Sequence, residues 1–142
     1  MGKVRQILGT RKEFFSVEPE STVFNVLLLM IEKTIGGVLV TKNGQLTGIF
    51  TERDYASKVA VKGLSPRHTI ISDVMTPKPY TVTPDTTIEQ CMSLMAEKRI
   101  RHLPVVDGGE LLGIISIGDL VKYIMEEQRG IIEELEHYIT GH

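Results

Sequence analysis

The sequence predicts an α+β fold: two β-α-β-β-α units, related by a pseudo-twofold axis and packed as one compact module, with a helical extension at the C-terminus. Three observations predict it. The chain is written twice, its secondary-structure signals parse the same way in both copies, and its composition is that of a globular protein. The repeat emerges when the 142-residue chain is displaced by 65 positions, which lays 16–55 over 81–120 without a gap. "SVEPESTVFNVLLLMIEKTIGGVLVTKNGQLTGIFTERDY" then stands over "TVTPDTTIEQCMSLMAEKRIRHLPVVDGGELLGIISIGDL". Identities include Val17/Val82, Pro19/Pro84, Thr22/Thr87, Glu32/Glu97, Lys33/Lys98, Ile35/Ile100, Gly44/Gly109 and Asp54/Asp119. So long a period with only two copies implies a shared core, not an open array of stacked repeats.

Each unit begins with a short extended segment, "FFSV" or "PYTV", that runs into "PEST" or "PDTT". These polar residues are turn and helix-start chemistry, with Thr22 and Thr87 as the N-caps. A helix follows. Val23, Val26, Leu27, Met30 and Ile31 mark its apolar face in the first copy, and Ile88, Cys91, Met92, Met95 and Ala96 in the second. A strand comes next, "GGVLVT" or "HLPVVD". "KNGQ" and "DGGE" then read as hairpin turns, because Asn-Gly and Gly-Gly supply positive φ. A second strand returns as "LTGIF" or "LLGII", and a helix starts after Thr51 or Ser116. The join at 62–80 carries three prolines around a short helical turn and reads as a linker packed on the module. The tail continues helically, with Gly130 expected to break it. Ile131, Ile132, Leu135, Tyr138 and Ile139 form a stripe expected to dock on the parent module or, alternatively, to make an oligomer contact. The boundaries are a first repeat with its N-terminal segment over 1–62, a packed linker over 63–76, a second repeat over 77–125 and a C-terminal helix over 126–142.

Hydrophobic residues make up 42% and charged residues 24%, enough apolar material to bury a core without staples. A net charge of −2 gives no field that recruits nucleic acid or an anionic membrane. The single cysteine, Cys91, excludes a disulfide framework and suits a reducing compartment. Its setting in "EQCMSLMAEK" reads as a small buried hydrophobe, not a reactive thiol. There is no CxxC and no HExxH, which argues against thioredoxin-type redox and catalytic zinc. "VFNVLLLMI" is too short to span a bilayer and contains Asn25. "MGKVRQILGTRKEFF" lacks the apolar core of a signal peptide, so a cytoplasmic location is expected.

The chemistry lies in two phrases, "GIFTERDY" at 48–55 and "GIISIGDL" at 113–120. Both come where a strand hands over to a helix, whose first N–H groups and partial positive charge accept phosphate. Thr51 and Ser116 stand where a hydroxyl caps that helix or donates to a phosphate. Asp54 and Asp119 follow three residues on, a spacing that suits a carboxylate accepting from a vicinal diol such as ribose. Taken singly, each phrase reads at least as well as a capping box in which Asp satisfies a backbone N–H; two copies at matching places favour a site. "KRIRHLPVV" adds Arg101 and His102, and a guanidinium offers phosphate a planar fork of donors. The first copy has Gly36 and Gly37 there, and carries Arg53 where the second has Gly118. Two chemically unequal pockets are expected.

These features closely resemble a tandem pair of CBS domains, a Bateman module. "GIFTERDYASKVAVKG", "VMTPKP", "RIRHLPVV" and "SIGDLV" carry the resemblance, which covers nearly the whole chain. It is similar to stand-alone bacterial CBS-pair proteins and to plant organellar ones. The resemblance implies an adenosine nucleotide (AMP, ADP, ATP or NAD) bound in clefts between the repeats, with two modules forming a disc-like homodimer. In one cleft it implies Asp119 on the ribose, with Ser116, Arg101 and His102 on phosphate. Ile35, Gly36, Gly37 and Ile114 would line the base there, with Phe15 and Thr10 closing the pocket. In the mirror cleft it implies Asp54 on ribose, Thr51 and Arg53 on phosphate, and Ile49, Tyr80 and Ile100 to His102 around the base.

The expected function is therefore a regulatory module that senses an adenosine nucleotide and signals to a partner protein, with no catalytic residue, no metal, no nucleic acid and no membrane. Two other classes stay open: a ligand-free interaction scaffold, and a weak nucleotide-hydrolysing enzyme using Asp54 or Asp119. Against the enzyme, the sequence offers no nucleophile–base pair, metal cluster or P-loop, and His68, His137 and His142 fall in linker or tail.

Overall fold

The computed structural model describes residues 2–9 and 14–140. Helix α1 (Val4–Leu8) is followed by β1 (Ser16–Val17), α2 (Val23–Lys33), β2 (Gly37–Lys42) and β3 (Gln45–Thr51). A short helix α3 (Glu52–Asp54) runs on into a π-helical turn over Tyr55–Ala60. Two 3-10 turns (Pro66–His68, Ile71–Asp73) lead to β4 (Thr76–Pro77). The second half is α4 (Ile88–Lys98), β5 (His102–Asp107), β6 (Glu110–Ser116) and α5 (Ile117–Thr140).

The repeat is visible atom by atom. Thr22 Oγ1 accepts from Asn25 N at 3.1 Å and Thr87 Oγ1 from Gln90 N at 3.1 Å, so both expected N-caps form. Each helix ends on a left-handed residue, Thr34 at φ 55° and Arg99 at φ 56°, which turns the chain into the next strand. The hairpins turn through Asn43 and Gly44 (φ 53° and 77°) and through Gly108 and Gly109 (φ 57° and 84°), the paired positive φ of a type I′ turn. Both hairpins slip register at the same place, between Val40 and Thr41 and between Val105 and Val106. β1 pairs parallel with β2 through Val17 and Val40; in the second copy the expected "PYTV" strand reduces to one parallel bridge, Val82 to Val105.

Two apolar cores result. One gathers Val23, Val26, Met30, Val38, Val40, Phe50 and Val59; the other Ile88, Cys91, Met95, Leu103, Val105, Ile115 and Leu120. Each helix buries only part of its predicted apolar face: Ile31 is 76% and Met92 36% exposed, and Ala96 lies in solvent. The cores are completed crosswise. Val4 and Ile7 of α1 pack into the second core, while Ile71 and Val74 of the linker pack into the first. The backbone repeats the exchange: Val4 N donates to Thr86 O at 2.9 Å, and Ile71 N to Ser21 O at 2.8 Å. A division at 62 and 76 thus follows chain order, whereas the packing interleaves it.

Two expectations about the tail are corrected. Gly130 does not break the helix: α5 runs unbroken through it for 24 residues, about 36 Å at the α-helical rise. A single interior Gly costs only about 1 kcal/mol, and helix-forming residues flank it on both sides. Nor does the stripe dock on the module. Leu120 is buried, and Tyr123 and Ile124 pack against the second core, but from Met125 the helix outruns it. Ile131, Ile132 and Leu135 are 55–56% exposed, Tyr138 88% and Ile139 80%.

Candidate functional site

The phrase at 48–55 folds as its spacing implies. Thr51 ends β3 with extended backbone and caps α3: Asp54 N reaches Thr51 Oγ1 at 3.4 Å, and Asp54 Oδ2 takes Thr51 N at 2.9 Å. The second phrase does the same, with Asp119 Oδ2 accepting Ser116 N at 2.7 Å and Ser116 Oγ accepting Asp119 N at 3.2 Å. The capping-box reading is therefore present in both copies. Asp54 carries more than a cap. Its Oδ1 also accepts from Thr76 Oγ1 at 2.9 Å and lies 2.9 Å from Lys58 Nζ, and the residue is 6% exposed.

A cleft of about 760 Å³ opens beside this carboxylate, a size suited to a small-molecule ligand. One wall is apolar: Ile49, Pro79, Tyr80 and Ile100. Hydroxyls come from Thr51, Ser57 and Thr76. Five side chains bring positive charge, Arg53, Lys58, Lys98, Arg99 and Arg101, against the acids Glu52 and Asp54. The left-handed turn at Arg99 swings 100–102 toward this space, and Arg53 Nη1 ties down the Arg99 carbonyl at 2.9 Å. Lys98 Nζ stands 5.2 Å from the Tyr80 ring centroid.

His102 sits at the cleft's edge, paired across the hairpin with Ser116 as Gly37 is with Thr51. A Cβ at Gly37 would come 3.3 Å from His102 Cδ2, so the imidazole lies against the glycine pair. Burial pulls the His102 pKa below its usual 6.5; Asp119 and Glu52 oppose that pull, and Arg101 adds to it. The imidazole thus feels carboxylates from both phrases.

The structure brings together Gly36, Ile49, Thr51, Arg53, Asp54, Tyr80, Ile100, Arg101 and His102 around one cleft. Gly36 was expected in the other cleft, and it lines this one. The expected lack of cations beside Gly36 and Gly37 is made good by residues from α3 and from the end of α4. Of the other group, Ser116 and Asp119 form their cap, Ile114 and Ile35 are half-buried, and Phe15 is half-buried with Lys33 Nζ 5.3 Å from its ring centroid. Thr10 lies outside the described residues. Sequence reasoning missed Lys58, Thr76, Ser57, Lys98 and Arg99. Lys58 had a legible signal, its place four residues after Asp54 on a helix; Thr76 had none, since only the fold brings the linker to Asp54. Among the described residues, no group of three or more His, Cys, Asp or Glu could hold a metal ion. No helix among them is long and apolar enough to cross a membrane.

The family model described as "CBS domain" matches residues 4–60 and 71–126. The "CBS domain-containing protein CBSX3, mitochondrial" of Arabidopsis thaliana is 39% identical over 127 residues, which cover 86% of this chain and 62% of that protein. The chain thus spans under two thirds of that relative's length. A solved CBS-domain protein of Burkholderia ambifaria MC40-6 superposes with a TM-score of 0.85 at 43% identity, covering 89% of this chain and 96% of that one. CBSX2 of Arabidopsis thaliana, solved in complex with AMP, superposes with a TM-score of 0.77 at 28% identity, covering 90% and 99%.

Proposed function

The chain belongs to the CBS-domain family, and from that membership we propose that it is a regulatory module that binds an adenosine nucleotide between its repeats and signals the bound state to a partner protein. One observation carries the reading: a cleft of about 760 Å³ joins an apolar wall to a buried carboxylate and five cationic side chains. That is the complement of adenine, ribose and phosphate. In this cleft Asp54 takes the ribose hydroxyls, Ile49, Tyr80 and Ile100 to His102 flank the base, and Thr51 and Arg53 meet phosphate. In the second cleft Asp119 takes ribose, Ser116 with Arg101 and His102 meets phosphate, and Ile35, Gly37, Ile114 and Phe15 flank the base. The AMP held by CBSX2 supports the adenosine class. ADP, ATP and NAD share that half of the ligand and compete for the same place.

Relatives named as CBS-domain proteins rather than enzymes support a binding role. Exposed apolar residues on the two equivalent helices, Leu28 and Ile31 on α2 and Met92 on α4, support a homodimer with isologous contacts. The cytoplasmic location expected in the sequence analysis stands beside a plant relative whose name places it in mitochondria.

The test is mass spectrometry of nucleotide released from the purified protein, followed by calorimetry with AMP, ADP, ATP and NAD. Asp54→Ala and Asp119→Ala should each weaken one binding event by about 1–3 kcal/mol. Turnover of ATP or NAD would make the protein an enzyme, and a denaturation midpoint indifferent to every nucleotide would make it a scaffold.

A further inference from the structure

We propose that Lys58 is a built-in counter-ion of the Asp54 cleft, which a nucleotide must lift off Asp54 and which then turns to the nucleotide's phosphate. The proposal rests on the ribose role given to Asp54 above. A carboxylate offers about four acceptor positions. At Asp54 all four are taken: Oδ2 by Thr51 N at 2.9 Å and Thr51 Oγ1 at 3.2 Å, Oδ1 by Thr76 Oγ1 at 2.9 Å and Lys58 Nζ at 2.9 Å. A vicinal diol brings two further donors, so binding requires an exchange.

The four donors differ in how readily they leave. Thr51 N is fixed by the helix start, Thr51 Oγ1 is kept beside the carboxylate by its capping bond from Asp54 N at 3.4 Å, and Thr76 is held on β4 against β3. Lys58 alone is a charged group on a flexible stem, and its side chain is 35% exposed. Its other contacts are long, 3.3 Å to Met75 O and 3.3 Å to Thr76 Oγ1. Lys58 also lines the cleft, so the displaced ammonium stays in the space the ligand enters. A phosphate offers it a new partner, whereas a bare nucleoside leaves it with none. Discrimination between phosphorylated and unphosphorylated ligand thus begins at the ribose.

The equivalent position in the second repeat carries a phenol in place of the ammonium. Tyr123 stands four residues after Asp119 and points its hydroxyl at Gln6 Oε1, 3.4 Å away on α1. The two repeats therefore differ at the position of this ammonium.

Calorimetry on the full chain tests this, with adenosine and AMP as probes and Asp119→Ala as background, which weakens the other cleft so that the Asp54 cleft reports as the tighter event. Lys58→Met should bind adenosine about tenfold tighter, the scale of one charge-assisted hydrogen bond no longer broken. AMP affinity should stay about the same, because the lost phosphate contact offsets the gain, so the preference for AMP over adenosine contracts about tenfold. Lys58→Gln, which keeps a donor without the charge, should move the same way; thermal melts confirm that both variants fold. Unchanged or weaker adenosine binding in both variants, with binding still weakened by Asp54→Ala, overturns the counter-ion role and leaves the nucleotide reading standing. Absence of AMP binding in the Asp119→Ala background, or AMP affinity left unchanged there by Asp54→Ala, overturns the ribose role of Asp54 and the proposal with it.

Discussion

Gly48 and Thr76 stand so close that a Cβ on Gly48 would come 2.9 Å from the Thr76 carbonyl oxygen, and 2.5 Å from Met75 Sδ. This contact seats β4 on β3 and delivers the Thr76 hydroxyl to Asp54. Gly48→Ala should push β4 outward and cost about 1–3 kcal/mol, the range for overpacking. The urea midpoint reads it. Gly113→Ala is the control: its Cβ would meet the flexible end of Leu8 at 3.3 Å and should cost less.

The paired N-caps make a second prediction. Thr22→Ala and Thr87→Ala should each lose about 1 kcal/mol, whereas the Thr→Ser versions lose little because the accepting oxygen remains. Equal stability of the Ala and Ser variants in chemical denaturation would sink the capping account.

His102 sets a pH dependence. Burial holds its folded pKa below the usual 6.5, so the unfolded chain binds the proton more readily. Stability should therefore fall as pH drops below about 6.5 and level off once the folded state also protonates. His102→Asn should flatten that part of the profile, measured as melting temperature against pH relative to the parent chain.

Cys91 is fully buried, and burial pushes its thiol up to about 11. Thiolate, the reactive form, is scarce at neutral pH, and reagent access requires opening. Alkylation in the native protein should proceed at the rate of unfolding, becoming rapid only in denaturant. Fast labelling of the folded chain contradicts this.

The two ends of α5 should behave oppositely. Leu120→Ala removes a fully buried side chain and should cost about 2–5 kcal/mol. A stop codon after Glu126 removes residues that are mostly solvent-exposed, and should change stability by about 0.5 kcal/mol or less. Differential scanning of the two variants side by side decides it.

The fold was legible wherever a local rule acted. Thr22 and Thr87 capped, Asn43-Gly44 and Gly108-Gly109 turned, and the period of 65 located both halves, because each of these is decided within a few residues or by direct repetition. The crosswise packing of α1 and the linker was not legible. Val4 and Ile71 are ordinary apolar residues, and which core receives them is decided by the path of the chain through space. Gly130 misled for a related reason: one weak position does not break a helix that its neighbours favour. At the site, the phrases around Asp54 and Asp119 showed their caps from spacing alone. Of the cationic wall, Arg53 and Arg101 were expected beside Asp54; Lys58, Lys98 and Arg99 were not, because the wall is assembled from residues of both repeats.

The crosswise arms have a consequence for what half of this chain could do alone. A fragment of residues 1–62 would carry an arm, α1, shaped for a core it does not contain, and its own core would lack Ile71 and Val74. Two such fragments could satisfy each other by reciprocal loan, each laying its arm where the linker now lies, as the matching bonds of Val4 to Thr86 and Ile71 to Ser21 indicate. The intact chain is then the covalent form of an exchanged dimer, with the 63–76 connection standing in for a second N-terminus. Joining the halves replaces a concentration-dependent association with an intramolecular one, so the cleft between them persists at any dilution.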